Sequence, residues 1–223
     1  MTTKTSPVNR ARKAVADAHT TTQAAAETVT QWQAKAEAET AEAAQLEADS
    51  GTLVLDGEDP AEIQAKIAEH RSAATIATNT ATAAQARHRA ALRIELGAEA
   101  DLQEAIARDY DQQIADYDRK LETLLKPIRE LAGVPGTFEP DPDYRDRRTE
   151  LARERYGANR EQAGIRAYLA WVAQSPRPNR TFSHLEAYPH DLWPDVRGKG
   201  LGMMSGRILP DSVYSAFPIL GEV

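Results

Sequence analysis

The chain has 223 residues, no cysteine, a formal net charge of −7, 27% charged side chains and only 6% aromatic ones. The lack of cysteine excludes disulfide staples and thiolate metal sites, and no run approaches the ~20 consecutive apolar residues of a helical membrane span. Its 41% hydrophobic content is largely alanine, which suits long helices meeting through small side chains and not a thick globule.

Charge is unevenly placed. Residues 1–142 hold 15 Lys and Arg against 24 Asp and Glu, whereas residues 143–223 hold 12 against 10. An acidic first part argues against wrapping nucleic acid along its length, so any anion binding belongs to the C-terminal third. Residues 1–7 read as a polar, flexible leader without the apolar core of a secretory signal. The expected location is cytoplasmic, or within an assembled particle.

From Val8, steps of three and four give Val8, Ala11, Val15, Ala18, Thr22, Ala25, Val29, Trp32, Ala36, Glu39, Ala43 and Leu46. This heptad seam predicts a helix in which only Glu39 places a charge on the packing face. Asp49-Ser50-Gly51 is the expected stop, and forty residues at ~1.5 Å each make a rod of roughly 60 Å. Arg10, Arg12 and Lys13 in its opening turns read as a solvated face, or as a basic spot for a second copy's Glu37, Glu39, Glu42 and Glu47.

A tip loop is expected over residues 50–59. Leu53, Val54 and Leu55 there are three consecutive large aliphatics at the end of an alanine-lined seam, followed by an Asp-Gly turn signal. They either fold down over the end of the seam, with Leu53 continuing the phase of Leu46, or stand out as a partner contact. Acids at 49, 56, 58 and 59 lack the spacing of a calcium loop.

Asp59-Pro60-Ala61-Glu62 is a strong helix start: a capping acid, proline at the first helical position, and Glu62 placed for a capping box. The seam then reads Ile63, Ile67, His70, Ala74, Ala77, Ala81, Ala84, His88 and Ala91. So short a connection makes the two helices antiparallel. The Ala- and Thr-rich stretch 73–86 buries little area per residue, so oligomerisation is expected to thicken it. His70 and His88 sit too far apart along one helix to share a ligand site.

The second helix outlasts the first, with Gly97 marking a kink or close packing. Its pattern becomes richer through Leu102, Ile106, Tyr110, Ile114, Tyr117, Leu121, Leu124, Ile128 and Leu131, which need a cover. Pro127 should kink or loosen its end. After a linker over 132–142, two short helices within 143–174, separated at Gly157-Ala158-Asn159, are expected to pack on this overhang. Their spacing invites a helix-turn-helix reading, with Arg145, Arg147, Arg148 and Arg155 as phosphate contacts and Arg153, Arg160 and Arg166 beside them. Interleaved Asp143, Asp146, Glu150, Glu154 and Glu161 favour a salt-laced surface instead.

Residues 175–223 carry six of the twelve prolines and five of the twelve glycines. They read as an irregular extended arm laid on its own bundle or a neighbour, with Trp193, Tyr214 and Phe217 as partner-binding anchors. His184, Glu186, His190, Asp191 and Asp195 match no ligand spacing, and Arg197 to Gly202 reads as a flexible turn.

The expected fold is therefore all-α: a long antiparallel helical hairpin, a coiled coil with an alanine-rich seam, plus a small helical cap and an irregular C-terminal arm. The expected function is a non-enzymatic structural or assembly subunit of a larger complex, of the virion or phage-particle kind by shape analogy, contacting protein partners or further copies through the tip, the cap and the arm. No catalytic residue, cofactor, metal, membrane or small-molecule substrate is assigned. The alternative is a nucleic-acid-associated regulator that dimerises through the rod.

Overall fold

The structure, a computed structural model, describes residues 6–132, 147–174 and 209–220. Those residues are 95% helical, with no strand and four helices: α1 Pro7–Leu55, α2 Pro60–Ala132, α3 Arg147–Val172 and α4 Asp211–Leu220. α1 and α2 pack heavily on each other, which makes the fold the expected all-α helical hairpin. The chain divides into two compact units, one of residues Asp17–Ile94 and one joining Met1–Ala16 to Glu95–Val223.

In the Asp17–Ile94 unit the predicted seam is the packing face. Thr22, Ala43, Ile63, Ile67, Ala77, Ala81, Ala84 and Ala91 are buried, and Ala25, Val29, Trp32, Ala36, Glu39, Leu46, His70, Ala74 and His88 are half-buried. Glu39, the one acid in the α1 seam, lies against His70 of the α2 seam, with Oε2 and Nδ1 2.8 Å apart. Arg71 and Glu47 form an ion pair beside them. Threonine is a mediocre helix former, and its hydroxyls here turn inward on their own helices: those of Thr22, Thr28, Thr40, Thr75, Thr78 and Thr82 each donate to the carbonyl four residues earlier. Only Thr22 lies on the seam, and this bond satisfies its hydroxyl without a cross-helix partner.

The turn differs from expectation. α1 does not stop at Gly51 but continues to Leu55, so the loop is residues 56–59 rather than 50–59. A single glycine inside a helix costs only about 1 kcal/mol, and α1 ends instead where a residue takes the left-handed region that commonly closes helices, Gly57, with φ +99°. Around it the Glu58 amide donates to Leu53 O at 3.0 Å and the Gly57 amide to Val54 O at 3.1 Å, the paired bonds of a Schellman motif. Asp59 then caps α2, its Oδ1 accepting from the Ala61 amide at 2.8 Å.

In the other unit α2 passes through Gly97 and Pro127 without interruption. Among the described residues a Cβ added at Gly97 would meet nothing within 4 Å, so that glycine marks no close approach there. The two short helices expected within 143–174 are instead one, α3, which runs straight through Gly157. Leu151, Ala158, Ile165 and Val172 are all buried, one face continuing at heptad spacing across the glycine. That burial outweighs the local cost, and no turn forms for a helix-turn-helix.

α3 runs antiparallel to α2. Arg148 Nε donates to Asp118 Oδ1 at 2.9 Å, Arg155 Nη1 to Asp111 Oδ1 at 2.8 Å, and Gln162 Nε2 to Glu104 Oε2 at 2.9 Å. Each rung moves seven residues forward on α3 and seven backward on α2.

The C-terminal region is not wholly irregular. α4 begins beyond Pro210, whose carbonyl accepts from the Val213 and Tyr214 amides at 3.1 and 3.3 Å, and Asp211 lies in its first turn, where the helix dipole favours an acid. Val213, Ala216 and Leu220 are buried. Phe217 packs on Tyr168 of α3, ring centroids 5.2 Å apart, and on Tyr214 at 5.4 Å. Prolines 210 and 218 give this stretch the look of a broken arm, but the first precedes the helix and the second lies in its final turn.

Candidate protein-interaction site

The hairpin tip is built by the last turns of α1, the Schellman turn and the capped start of α2. Its three aliphatics divide. Leu53 is half-buried and continues the seam, whereas Val54 is 42% and Leu55 88% exposed. Between them and α2 lies an open groove of about 310 Å³ lined by Ser50, Gly51, Val54, Leu55, Pro60, Ile63 and Gln64. Among the described residues a Cβ at Gly51 would meet nothing within 4 Å, so they leave the groove unobstructed there.

Ser50, Gly51, Pro60, Ile63 and Gln64 were not among the sequence-based site residues. The signal is readable once α1 is carried to Leu55: Ser50 and Gly51 then stand one turn before Val54 and Leu55 on the same face. Placing the stop at Gly51 hides it.

Acids flank the groove residues along the chain. Asp49, Asp56, Glu58, Asp59 and Glu62 are all exposed, and residues 49–62 contain no Lys or Arg. Lys66 reaches Glu58 at 3.5 Å. The last turn of α1 contains no basic residue, so the negative end of that helix adds to the local field.

A second apolar stripe lies in the other unit, where Leu124, Ile128 and Leu131 are 68%, 60% and 91% exposed. The overhang is thus covered over Asp101 to Asp118, where α3 lies, while its last turns keep these side chains open.

The arginines proposed for phosphate contact are engaged with carboxylates of the same chain. Arg148 and Arg155 hold the rungs to Asp118 and Asp111, Arg147 pairs with Glu150 at 3.2 Å, and Arg166 reaches both Asp101 and Glu104. The expected salt-laced surface is present, with most of its acids supplied by α2 and not by α3. Arg145 lies outside the described residues.

Of the three aromatic anchors, Tyr214 and Phe217 are half-buried and already make ring contacts within the chain, Phe217 on Tyr168 and Tyr214 on Phe217. Trp193 lies outside the described residues, as do the linker 133–142, the His184 to Asp195 group and the Arg197 to Gly202 turn. Among the described residues no group of three or more His, Asp or Glu side chains is placed to hold a metal ion, and no helix is long and apolar enough to cross a membrane.

One carboxyl is held above its usual range. Glu99 of α2 is shifted upward chiefly by burial, with Ser212 of α4 acting the other way and the charges of Glu161 on α3 and Glu95 on α2 adding to the rise. It sits where the three helices meet.

No known protein family, curated protein or solved structure matches this chain.

Proposed function

We propose that the chain is a non-catalytic assembly subunit of a larger protein complex, and that the hairpin tip is its docking end. The observation that carries this reading is the pair Val54 and Leu55, large aliphatics exposed beside an open groove on a turn fixed by a Schellman motif and a capped helix start. Exposed aliphatics on a rigid, well-hydrogen-bonded turn bring a preorganised contact to a partner, with little ordering entropy left to lose on binding. The stripe at Leu124, Ile128 and Leu131 is a second contact in the same scheme, and a virion or phage-type particle is one setting that has use for such a subunit.

The alternative, a nucleic-acid-associated regulator, draws less support, because a guanidinium already paired with a carboxylate offers a phosphate little net charge. A photo-crosslinking residue placed at Leu55 of the full chain, compared with one at exposed Ala86, tests the docking reading in an extract of the source cells. A discrete protein adduct from position 55 alone is expected. Equal adducts from both positions, or none from either, would remove the tip as the docking end.

A further inference from the structure

We infer that the tip groove takes a basic, apolar peptide segment of another protein: an aliphatic or aromatic anchor seated over Gly51, with flanking Lys or Arg side chains against the neighbouring acids. This deepens the docking reading above and rests on it.

Two independent features of the tip define that chemistry. The first is the groove. Val54, Leu55, Pro60 and Ile63 give it apolar walls, Ser50 and Gln64 give it polar edges, and about 310 Å³ accommodates a large side chain. Gly51 leaves helix backbone bare within it, since among the described residues no atom lies within 4 Å of where its Cβ would point. A mid-helix glycine weakens α1 for no internal packing gain, and a partner side chain or backbone approaching closely is what such a surface admits.

The second feature is charge. Five exposed acids lie between Asp49 and Glu62 with no base among them; Glu58 is paired with Lys66, and the other four with the negative end of α1 leave the rim net acidic. Such a field steers cationic segments inward and rejects acidic ones. It also argues against the other occupants. Tip-to-tip pairing of two copies would set one acidic rim against its twin, and an anionic lipid surface or nucleic acid meets the same repulsion. The apolar groove supplies affinity and the rim supplies selection, so binding weakens with salt as exposed charges are screened.

The test uses the full chain as bait for a phage-displayed library of random peptides, counter-selected on the Leu55→Ser variant. Leu55 is 88% exposed, so that substitution spares the fold. Enriched peptides are expected to join an apolar anchor to Lys or Arg. A synthetic copy should bind the wild-type chain at least tenfold more tightly than Leu55→Ser or Gly51→Leu, and several-fold more tightly than Asp49→Asn/Asp56→Asn at low salt. Enrichment of neutral or acidic peptides that still need Leu55 would overturn the basic partner while leaving the docking reading intact. Failure to enrich any Leu55-dependent peptide would overturn this inference, and the crosslink at position 55 then decides the docking reading by itself. Sedimentation of the chain alone, if it showed self-association lost in Leu55→Ser, would replace the basic peptide with a second copy.

Discussion

Three glycines separate the conformational from the packing uses of this residue. Gly57 adopts φ +99°, a region that an L side chain enters only with strain, so Gly57→Ala should destabilise the chain by about 1 kcal/mol or more. Gly51 and Gly157 lie inside helices with open space at the Cβ position, so Gly51→Ala and Gly157→Ala should each stabilise by up to about 1 kcal/mol. Urea unfolding of the three variants checks the signs, and a loss of stability in Gly157→Ala would restore a turn at that position. Glu99 gives a prediction of a different kind. Its carboxyl is raised by burial, and by Glu161 and Glu95 against the opposing Ser212, so the folded state holds that proton more tightly than the unfolded state. A group raised in this direction contributes stability that is full below its unfolded pKa and is lost as pH rises through the folded one. Ionised Glu99 is therefore a liability at neutral pH. Glu99→Gln should raise the unfolding midpoint at pH 7, modestly because solvent screens this half-buried group, and the gain should fade as the pH is lowered to about 4.

The α2–α3 ladder has a testable register. Asp118, Asp111 and Glu104 face Arg148, Arg155 and Gln162 in antiparallel steps, so Asp111→Arg alone would place two guanidinium groups together. We expect it to lower stability by about 0.5–1 kcal/mol, with the double variant Asp111→Arg/Arg155→Asp recovering most of the loss; thermal melts at low and high salt read both. This ladder also shows where sequence patterning stops. The seams from Val8 to Leu46 and from Ile63 to Ala91 are legible because each is a period of one helix, and each named position is buried or half-buried. The Asp59 cap is legible because its bond spans two residues. The carboxylate that Arg155 meets lies forty-four positions away, and local spacing reveals only nearer acids such as Glu150. Gly51 and Gly157 mislead for a related reason. Whether a glycine ends a helix depends on the face that continues past it and on whether another residue takes the left-handed conformation, and composition shows neither. The tip groove was half legible: Leu53 to Leu55 mark it in the sequence, but Gly51, Pro60, Ile63 and Gln64 join it only when α1 extends to Leu55.

At the scale of the whole chain, the two units are held by different materials. The buried apolar residues of the Asp17–Ile94 unit are Ala43, Ile63, Ile67, Ala77, Ala81, Ala84 and Ala91, so apart from two isoleucines its closed core is alanine. The unit containing Glu95–Val223 buries four alanines too, Ala100, Ala107, Ala158 and Ala216, but adds Leu96, Leu151, Ile165, Tyr168, Trp171, Val172, Leu209, Val213 and Leu220. Burial of apolar area stabilises at ~25 cal/mol per Å², and an alanine has far less of it to remove from water than a leucine or an aromatic ring. The Glu39–His70 contact links α1 to α2 in the Asp17–Ile94 unit without adding much burial. Opening free energies should differ accordingly. In hydrogen exchange at neutral pH, peptides from Leu151 to Val172 and from Leu96 to Ala107 should remain protected well after those from Asp17 to Ala43 have exchanged. A bound partner at the tip would narrow that gap, because a ligand that binds only the folded unit adds its binding free energy to the opening cost. Uniform protection along both α1 and α3 in the chain alone would show that the alanine seam is as stable as the aromatic core, and would remove the reason to expect that partner contacts complete it.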